Sequence, residues 1–392
     1  MNILFVNNTP FYPSYGGIER VTDVLSKIFA QRFGHQVFHL FEIVEDKGIL
    51  NYDFPATLIK IPQTNNIEEK KAFVIKIIHS YKIDVIINQR GQNPELCYIL
   101  EQDSAKLINV IHSQPKSFLF TELYKPLILI DTPIGMIKYC IKIITLPIYR
   151  IYRGYLLKKE FAVRYRYSLA SCDKLILLSE KDKKELQQYI DINTSKIIGI
   201  PNPNTFDSYK YDFSKKKKII LYVARLSKLE KNPMRIIKVW EKLYRRFPLW
   251  RLIIVGDGEC KSYLTHYIKK HHIERVELVG NQKNLTDFYE RADFICLTSN
   301  IEGWGMTLTE GMQFGCIPIT FNSYGGASDI IDNDLNGCLI TPFDINEYAI
   351  RLSELMGNET KRKTMASAAT EKVKEFSVEN VADKWEELFI NL

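Results

Sequence analysis

Short apolar runs alternate with amphipathic segments along the first half of the chain. The first run, residues 3–6, is followed by a loop at 7–17 and a segment from Ile18 whose apolar side chains fall on one helix face. Further runs of strand length follow, with helical segments between them. The alternation predicts a parallel β-sheet covered by helices on both sides. Its predicted strands are residues 3–6, 36–41, 57–61, 84–88, 106–111, 175–178 and 196–200.

A second alternation begins after a break in this pattern. Pro201 and Pro203 interrupt regular structure, and residues 205–218 are polar and aromatic with four consecutive lysines, which favours a linker. The pattern then predicts a second parallel sheet, and therefore two doubly wound α/β domains, residues 1–204 and 205–392. Strands are predicted at 219–223, 252–255, 276–280, 293–299, 317–321 and 338–341, and helices at 234–247, 306–314 and 378–392.

The composition is that of a globular protein. The chain has 392 residues, a length that is enough for two domains with separate cores. Of these residues, 46% are apolar and 25% are charged. Its seven cysteines are an odd number without a Cys-x-x-Cys pair, which favours reduced core cysteines in a cytoplasmic protein. The N-terminus has no basic region followed by a longer apolar stretch, so we expect no signal peptide.

Positive charge is concentrated in one apolar segment, residues 118–170. Residues 138–167 contain eight Lys and Arg residues and one acid, Glu160, so the net charge of this segment is +7. This equals the net charge of the whole chain. Pro126, Pro133 and Pro147 interrupt the segment and, with its lysines, disfavour a membrane-spanning helix. Aliphatic and Tyr residues among Lys and Arg favour a helix lying on an anionic membrane surface. The alternative is a helix packed on its domain with the basic face in water; nucleic acid is not expected, because no binding motif accompanies the charge.

Candidate chemistry lies between the predicted strand at 293–299 and the helix that follows it. Glycines in this loop let the backbone approach a ligand, and the first N–H groups of the helix favour an anion such as phosphate. Two carboxylates, separated by seven residues, can accept hydrogen bonds from hydroxyls. The alternative is two ordinary charges, Glu302 in solvent and Glu310 on an exposed helix face. The predicted binding residues are Glu302, Gly303, Trp304, Gly305, Met306, Thr307 and Glu310.

Polar residues at other strand ends suit the same kind of ligand. Arg225 and Lys231 flank the loop after strand 219–223, where two fixed cations can neutralise a diphosphate. Gly16 and Gly17 precede the first helix and offer a second strand–loop–helix platform, although a tight turn is the commoner reason for a Gly-Gly pair. His112 follows strand 106–111, at the edge where open parallel sheets bind ligands.

The chain contains an Arg-x5-Lys loop and, about 70 residues later, a Glu-x7-Glu stretch. This combination resembles the retaining glycosyltransferases of family four, which have the two-domain GT-B fold. The resemblance implies that the two cations hold the donor diphosphate, that Glu302 binds the donor sugar and that Glu310 binds the ribose. It also implies two Rossmann-like domains facing each other across a cleft, with residues 378–392 crossing back to the first domain.

The resemblance further implies a histidine near the sugar and the departing phosphate, which would be His112. Ser113 follows it where many family members have Asp. We therefore expect His112, Arg225, Lys231 and Glu302 to act in the reaction, with Gly16 and Gly17 near the donor. No metal or other cofactor is expected. Asp332-Asn333-Asp334 matches the Asp-x-Asp pattern of metal-dependent transferases, but its position between strands favours a turn.

The expected activity is that of a retaining hexosyltransferase, with a UDP-sugar favoured over a GDP-sugar as donor. The basic apolar segment favours a lipid-linked saccharide as acceptor, at the inner face of a bacterial membrane, as in lipopolysaccharide or capsule assembly. One alternative is a nucleotide-sugar epimerase of the same fold, which would need acid and base carboxylates and no acceptor. The other is a non-catalytic scaffold that binds a sugar nucleotide.

Overall fold

In the computed structural model, the chain folds as two compact units. Unit 1 comprises Met1–Ile200 together with Trp385–Leu392, and unit 2 comprises Pro201–Lys384. The structure describes the chain except residues 14–15, 43–52, 54, 125–132, 193 and 207–208, and it describes no side chains within 122–150. Much of the predicted basic segment 118–170 therefore lies outside the described side chains.

The sheet of unit 1 has, in the described part of the chain, seven parallel strands in the order β3-β2-β1-β4-β5-β6-β7. The order reverses at β1, and ligands bind beside such switch points in open parallel sheets. The strands are β1 (Asn2–Val6), β2 (Gln36–Phe41), β3 (Thr57–Lys60), β4 (Val85–Asn88), β5 (Lys106–Ile111), β6 (Lys174–Leu177) and β7 (Ile197–Gly199). The helices are α1 (Gly17–Gln31), α2 (Ile67–Ser80), α3 (Pro94–Leu100), α4 (Ser117–Tyr124), α5 (Pro133–Ala170) and α6 (Glu180–Gln187).

The core of unit 1 forms around β1, which lies between β2 and β4 in the sheet. The apolar side chains of β1 are fully buried. Phe5 of β1 stacks on Phe29 of α1, with ring centroids 6.2 Å apart. The last residues of the chain complete this core: Phe389 meets Phe29 edge-on at 5.5 Å, and Glu386 lies 2.8 Å from His35 Nε2. These aromatic contacts explain why Trp385–Leu392 belong to unit 1.

Helix α5 differs from the sequence-based prediction. The pattern predicts an interruption at Pro147, whereas α5 is one helix of 38 residues from Pro133 to Ala170. A proline removes one backbone hydrogen bond and bends a helix, but the remaining bonds of a long helix can keep it continuous. No described helix combines the length and apolar character that crossing a bilayer requires.

Unit 2 has, among its described residues, a six-stranded parallel sheet in the order β10-β9-β8-β11-β12-β13. Large buried side chains, such as Trp240, Tyr222 and Phe294, fill its core. The strands are β8 (Ile219–Val223), β9 (Arg251–Val255), β10 (Val276–Gly280), β11 (Phe294–Cys296), β12 (Ile317–Phe321) and β13 (Cys338–Ile340). The helices are α7 (Met234–Leu243), α8 (Lys261–Lys270), α9 (Thr286–Arg291), α10 (Met306–Gln313), α11 (Gly325–Ile330), α12 (Ile345–Gly357), α13 (Glu359–Lys372) and α14 (Val378–Ile390), of which the part from Trp385 onward belongs to unit 1. The prediction of two parallel-sheet α/β domains is confirmed.

The described cysteine side chains are all buried, and none of them forms a disulfide. Burial raises the pKa of the Cys97 and Cys316 thiols to about 11 and that of Cys296 to about 12. These cysteines are therefore neutral core residues at neutral pH, as the sequence predicts. The Cys140 side chain lies outside the described residues.

Candidate functional site

The loops after β8 and β11 lie side by side at the switch point of the unit 2 sheet. Both strands end at the same edge because they are adjacent and parallel. The backbone N–H of Asn300 donates to the carbonyl of Glu230 at 2.7 Å, and the Asn300 side chain donates to the carbonyl of Leu229 at 2.8 Å. These bonds hold the predicted cation loop against the predicted glutamate loop.

Lys231 and Glu302, one from each loop, form an ion pair. Lys231 Nζ lies 2.7 Å from Glu302 Oε1, and Ser299 Oγ donates to the same oxygen at 2.8 Å. Glu302 is buried and Lys231 is mostly covered. The alternative of a solvated Glu302 is therefore wrong. The ion pair and the hydrogen bond from Ser299 compensate the cost of burying its charge.

Arg225 points elsewhere in the same loop. Its guanidinium pairs with the carboxylate of Glu230, and its side chain remains 66% exposed. The Lys231 side of the loop is more tightly held: Tyr222 Oη donates to the Lys231 carbonyl at 2.9 Å, and the Lys231 N–H donates to Ser227 Oγ at 3.3 Å. The structure therefore brings Lys231 to Glu302 and leaves Arg225 at the surface.

Helix α10 begins immediately after the glycine loop. Gly305, its N-cap, has φ +94°, a left-handed conformation that favours glycine, and a Cβ there would lie 2.7 Å from Tyr324 Oη. No acidic side chain occupies the first turn, where Met306 and Thr307 are partly exposed. Backbone N–H groups at such a helix start favour an anion. Gly303 is also partly exposed, whereas the Trp304 ring is buried edge-on against Phe376 at 5.1 Å.

Glu310, on α10, is fully buried. Tyr289 of α9, also fully buried, donates from its hydroxyl to Glu310 Oε2 at 2.7 Å. The alternative of Glu310 on an exposed helix face is therefore wrong. A carboxylate inside the unit needs hydrogen-bond donors, and one of them comes from a residue that the sequence analysis did not single out.

The remaining predicted residues belong to unit 1. Gly16 is the N-cap of α1, and Gly17 is its first residue. The carboxylate of Glu19 lies close to this helix start: a Cβ on Gly16 would be 2.8 Å from Glu19 Oε2. Glu19 Oε1 also accepts hydrogen bonds from Asn7 Nδ2 at 3.3 Å and from Thr9 Oγ1 at 3.5 Å. The N-terminus of α1 thus already has an anion of its own chain beside it.

His112 follows β5 and joins a line of neutral polar groups. Its Nε2 lies 2.5 Å from Gln89 Oε1, and Gln89 Nε2 donates to Thr22 Oγ1 at 3.0 Å. Since an amide oxygen can only accept, the proton of the neutral imidazole is on Nε2. Burial lowers the pKa of His112 to about 4, so the ring is neutral at neutral pH.

Sequence reasoning missed Ser299, Tyr289 and Gln89. Ser299 ends the predicted strand 293–299, three residues before Glu302, and its place at a strand end is a usable signal. Tyr289 and Gln89 carry no local signal, because only the tertiary fold brings them to Glu310 and His112.

The Asp332-Asn333-Asp334 triplet forms a turn, as its position predicts. The Leu335 N–H donates to the Asp332 carbonyl at 3.0 Å, and the Asp334 N–H donates to the Gly337 carbonyl at 2.9 Å. Arg351 pairs with Asp334 and Lys372 with Asp332. Within the described residues, no group of three or more His, Cys, Asp or Glu side chains could hold a metal ion.

Comparisons with known proteins show what this chain is similar to. Residues 204–372 match the family model for glycosyl transferases group 1. The chain is 29% identical over 228 residues to the amylovoran biosynthesis glycosyltransferase AmsD of Erwinia amylovora, covering 57% of this chain and 63% of AmsD. It is 28% identical over 235 residues to the Campylobacter jejuni GalNAc-alpha-(1->4)-GalNAc-alpha-(1->3)-diNAcBac-PP-undecaprenol alpha-1,4-N-acetyl-D-galactosaminyltransferase, covering 59% of this chain and 64% of that protein. The chain thus spans less than two thirds of the length of these curated relatives.

The similarity in structure extends over the whole chain. HepE of Anabaena, solved in complex with UDP, superposes with a TM-score of 0.73 over 100% of both chains at 18% sequence identity. The segment that matches the family model contains Arg225, Lys231, Glu302 and Glu310. The chain therefore has the GT-B fold of glycosyltransferases, and its residues 204–372 match glycosyl transferases group 1.

Proposed function

We propose that the protein is a retaining glycosyltransferase of family four that moves a hexose from a nucleotide-diphosphate sugar to a saccharide acceptor. The observation that carries the proposal is the pairing of Lys231 with Glu302 at 2.7 Å, beside a helix start without an acidic side chain. A cation, a hydroxyl-binding carboxylate and free backbone donors are what a sugar diphosphate requires at one place.

In the proposed reaction, Lys231 leaves Glu302 for the donor diphosphate. Lys231, Arg225 and the N–H groups at Met306 and Thr307 then stabilise the negative charge that develops on the leaving phosphate. Glu302, no longer paired with Lys231, accepts hydrogen bonds from sugar hydroxyls, and Glu310 accepts them from the ribose. The two cations and the helix start supply the positive charge, so the proposal includes no metal and no other cofactor.

The acceptor attacks from the face that the phosphate leaves, and the leaving phosphate helps to take its proton. No enzymic nucleophile is assigned. His112 is proposed to donate from Nε2 to the sugar or the departing phosphate, with Gln89 as its partner in the free protein. Gly16 and Gly17 are proposed to lie near the donor. A UDP-sugar is favoured over a GDP-sugar, a choice that the complex of HepE with UDP supports.

The proposed acceptor is a lipid-linked saccharide in bacterial cell-surface polysaccharide assembly. The name of the Campylobacter relative includes a saccharide on undecaprenyl diphosphate, which supports this class. Helix α5 supports it independently. From residue 151 onward one face of α5 is packed: Leu157, Phe161 and Tyr165 are buried, and Phe161 and Tyr165 belong to the core of unit 1.

The opposite face of α5 is exposed and both apolar and basic. Tyr152, Tyr155 and Val163 are 64%, 56% and 63% exposed, and they recur at the spacing of one helix face. Lys159 lies on the same face, with Nζ 4.6 Å from the Tyr155 ring centroid. The acid Glu160 pairs with Arg164 at 2.7 Å, so it does not offset the remaining basic charge. We therefore propose that this face binds an anionic lipid surface, at the inner side of the cell membrane.

Vesicle co-sedimentation tests the membrane proposal. The protein should bind phosphatidylcholine vesicles that contain phosphatidylglycerol, and added salt should weaken binding because charge contributes. The double variant Tyr152→Ser/Tyr155→Ser should bind less, whereas Tyr263→Ser, which removes a similarly exposed tyrosine from α8 in unit 2, should bind like the wild type. Failure of the wild type to bind anionic vesicles at low salt would contradict the proposal.

A transfer assay tests the activity. UDP- and GDP-sugars are incubated with the protein and a polyprenyl-diphosphate-linked saccharide, and NMR compares the anomeric configuration of donor and product. Retention is expected, with loss of activity in Lys231→Ala. Conversion of the donor to its epimer without acceptor would establish the epimerase alternative. Nucleotide-sugar binding without turnover, across a range of acceptors, would establish the scaffold alternative.

A further inference from the structure

Each glutamate of the Glu-x7-Glu stretch is held by one buried hydroxyl from outside that stretch. Tyr289 Oη donates to Glu310 Oε2 at 2.7 Å, and Ser299 Oγ donates to Glu302 Oε1 at 2.8 Å. Both Tyr289 and Ser299 are buried. The two carboxylates therefore accept hydrogen bonds from hydroxyls of different residues.

Ring contacts and hydrogen bonds hold Tyr289 in place. Its ring stacks on Phe314 at 5.8 Å and meets Phe206 edge-on at 5.7 Å. Its carbonyl accepts hydrogen bonds from Lys216 Nζ at 3.2 Å and from Cys316 Sγ at 3.1 Å. A hydroxyl on so rigid a ring fixes one carboxylate oxygen of Glu310 and thereby sets the direction of the other.

Ser299 has a different task, because Glu302 Oε1 also receives Lys231. Ser299 lies between β11 and the glycine loop, and its neighbour Asn300 is bound to the cation loop through backbone and side chain. When Lys231 turns to a diphosphate, the Ser299 hydroxyl remains as a neutral donor to Glu302. The carboxylate then keeps its orientation while it loses its counter-ion.

We propose that Tyr289 and Ser299 are positioning residues with separate tasks: Tyr289 aligns Glu310 for the ribose of the donor, and Ser299 aligns Glu302 for its sugar. This inference rests on the proposed function. It predicts that the two variants that remove these hydroxyls have different defects, which a general loss of packing would not produce.

The first test compares UDP with 2′,3′-dideoxy-UDP. Tyr289→Phe keeps the ring and removes the hydroxyl, so it should weaken UDP binding roughly tenfold and leave dideoxy-UDP binding unchanged. Tyr348→Phe is the matched control, because the hydroxyl of this fully buried tyrosine of unit 2 donates to the carbonyls of Ile319 at 2.6 Å and Leu297 at 3.4 Å rather than to either glutamate. It should bind both nucleotides like the wild type.

The second test concerns Ser299→Ala. UDP affinity should stay within about twofold of the wild type, while kcat/KM with the UDP-sugar that the wild type uses should fall roughly tenfold. Ser299→Thr, which keeps a hydroxyl, should recover part of the loss.

A double variant tests whether Tyr289 acts through Glu310. In protein that already carries Glu310→Gln, adding Tyr289→Phe should then cost little further UDP affinity.

The outcomes separate this inference from the function on which it rests. Equal weakening of UDP and dideoxy-UDP by Tyr289→Phe, or loss of UDP affinity in Ser299→Ala, would overturn the positioning roles while leaving the donor site in place. A wild type that binds none of UDP, GDP and ADP would contradict the proposed function and this inference with it.

Discussion

Two helices begin after a strand and a glycine, one in each unit, but their first turns differ. In unit 1, α1 carries Glu19 in its first turn, and the carboxylate lies beside Gly16. In unit 2, α10 follows the left-handed Gly305 and has no acid in its first turn. Carboxylates favour helix N-termini for the same reason that phosphates do. The start of α1 is thus partly neutralised by an acid of its own first turn, and α10 has no such acid.

The polar groups at the neighbouring strand ends differ in the same way. Unit 2 offers the charged pair Lys231 and Glu302, and unit 1 offers the neutral series His112, Gln89 and Thr22. The difference teaches that a strand, a glycine and a helix do not make an anion site by themselves. What decides is which charges the adjacent side chains already provide.

The largest effect should come from Lys231→Ala. It removes a cation from the proposed diphosphate site and leaves the buried Glu302 without its counter-ion. We expect kcat to fall by about 10²–10³ and the free energy of unfolding by about 1–3 kcal/mol. Arg225→Ala is the control for stability: its side chain is largely exposed, so it should change the free energy of unfolding by less than about 0.5 kcal/mol. Equal destabilisation in urea titrations of both variants would contradict the contrast.

A smaller but more direct effect is expected from Thr307→Glu, which gives α10 the acid that α1 already has. The new carboxylate should interact well with the helix dipole and compete with the diphosphate for the same N–H groups. We expect UDP affinity to fall at least about tenfold, with an unchanged or higher unfolding midpoint. Calorimetric titration with UDP measures this, and Thr307→Gln is the neutral control. A glutamate variant that binds UDP like the glutamine variant would rule out anion binding at this helix start.

Acid should destabilise unit 1 before unit 2. Burial lowers the pKa of His39 to about 3 and that of His112 to about 4, so these rings stay neutral in the folded state while the unfolded chain takes up protons below about pH 6.5. Stability therefore falls as pH drops through this window, by about 2 kcal/mol at pH 5 for the fully buried His39 alone. In unit 2, burial raises the pKa of Asp293, which acts in the opposite direction. Hydrogen bonds from Lys215 and Lys363 lower the pKa of Glu290 and Glu359, and the stability that depends on these carboxylates is lost at lower pH than that of the histidines.

Hydrogen exchange at pH 7 and pH 5 measures this difference, with peptides from β1 and β2 compared with those from β8 and β9. Protection of the unit 1 strands should decline more, after correction for the intrinsic rates. His39→Gln should reduce the decline, because the unfolded chain then has one proton fewer to gain. Uniform loss of protection in both units would contradict the prediction.

The smallest effect is expected from Glu19→Gln, which removes the acid from the first turn of α1. It should lower the free energy of unfolding by about 0.3–1 kcal/mol through the lost interaction with the helix dipole. UDP binding should remain as in the wild type if the diphosphate binds at α10. Thermal unfolding and UDP titration of this variant test both statements; a large change in UDP affinity would move the anion site to unit 1.

The fold was predictable because apolar runs mark buried parallel strands directly. The limits of β2, β5, β8, β10 and β12 agree with the sequence pattern to the residue. The prolines predict an interruption within α5, whereas the structure has one continuous helix there. Local signals of this kind are regularly overruled by tertiary contacts.

The candidate site was predictable only in part, for a related reason. Lys231 and Glu302 were found through strand ends and loop residues, and the structure joins them. The sequence predicts an equal role for Arg225 of the same loop, but its guanidinium pairs with Glu230. The depth of Glu310 and its bond to Tyr289 could not be read from the sequence, because they depend on how α9 and α10 pack.

The most direct test of the donor site in unit 2 is the thermal unfolding of the purified protein with UDP, GDP and ADP. A ligand that binds only the folded state raises the unfolding midpoint with its occupancy. We expect a rise with UDP that is lost in Lys231→Ala and Glu310→Ala and kept in Tyr348→Phe. No rise with any nucleotide at millimolar concentration, or a rise that both site variants retain, would contradict a nucleotide-sugar site at these residues.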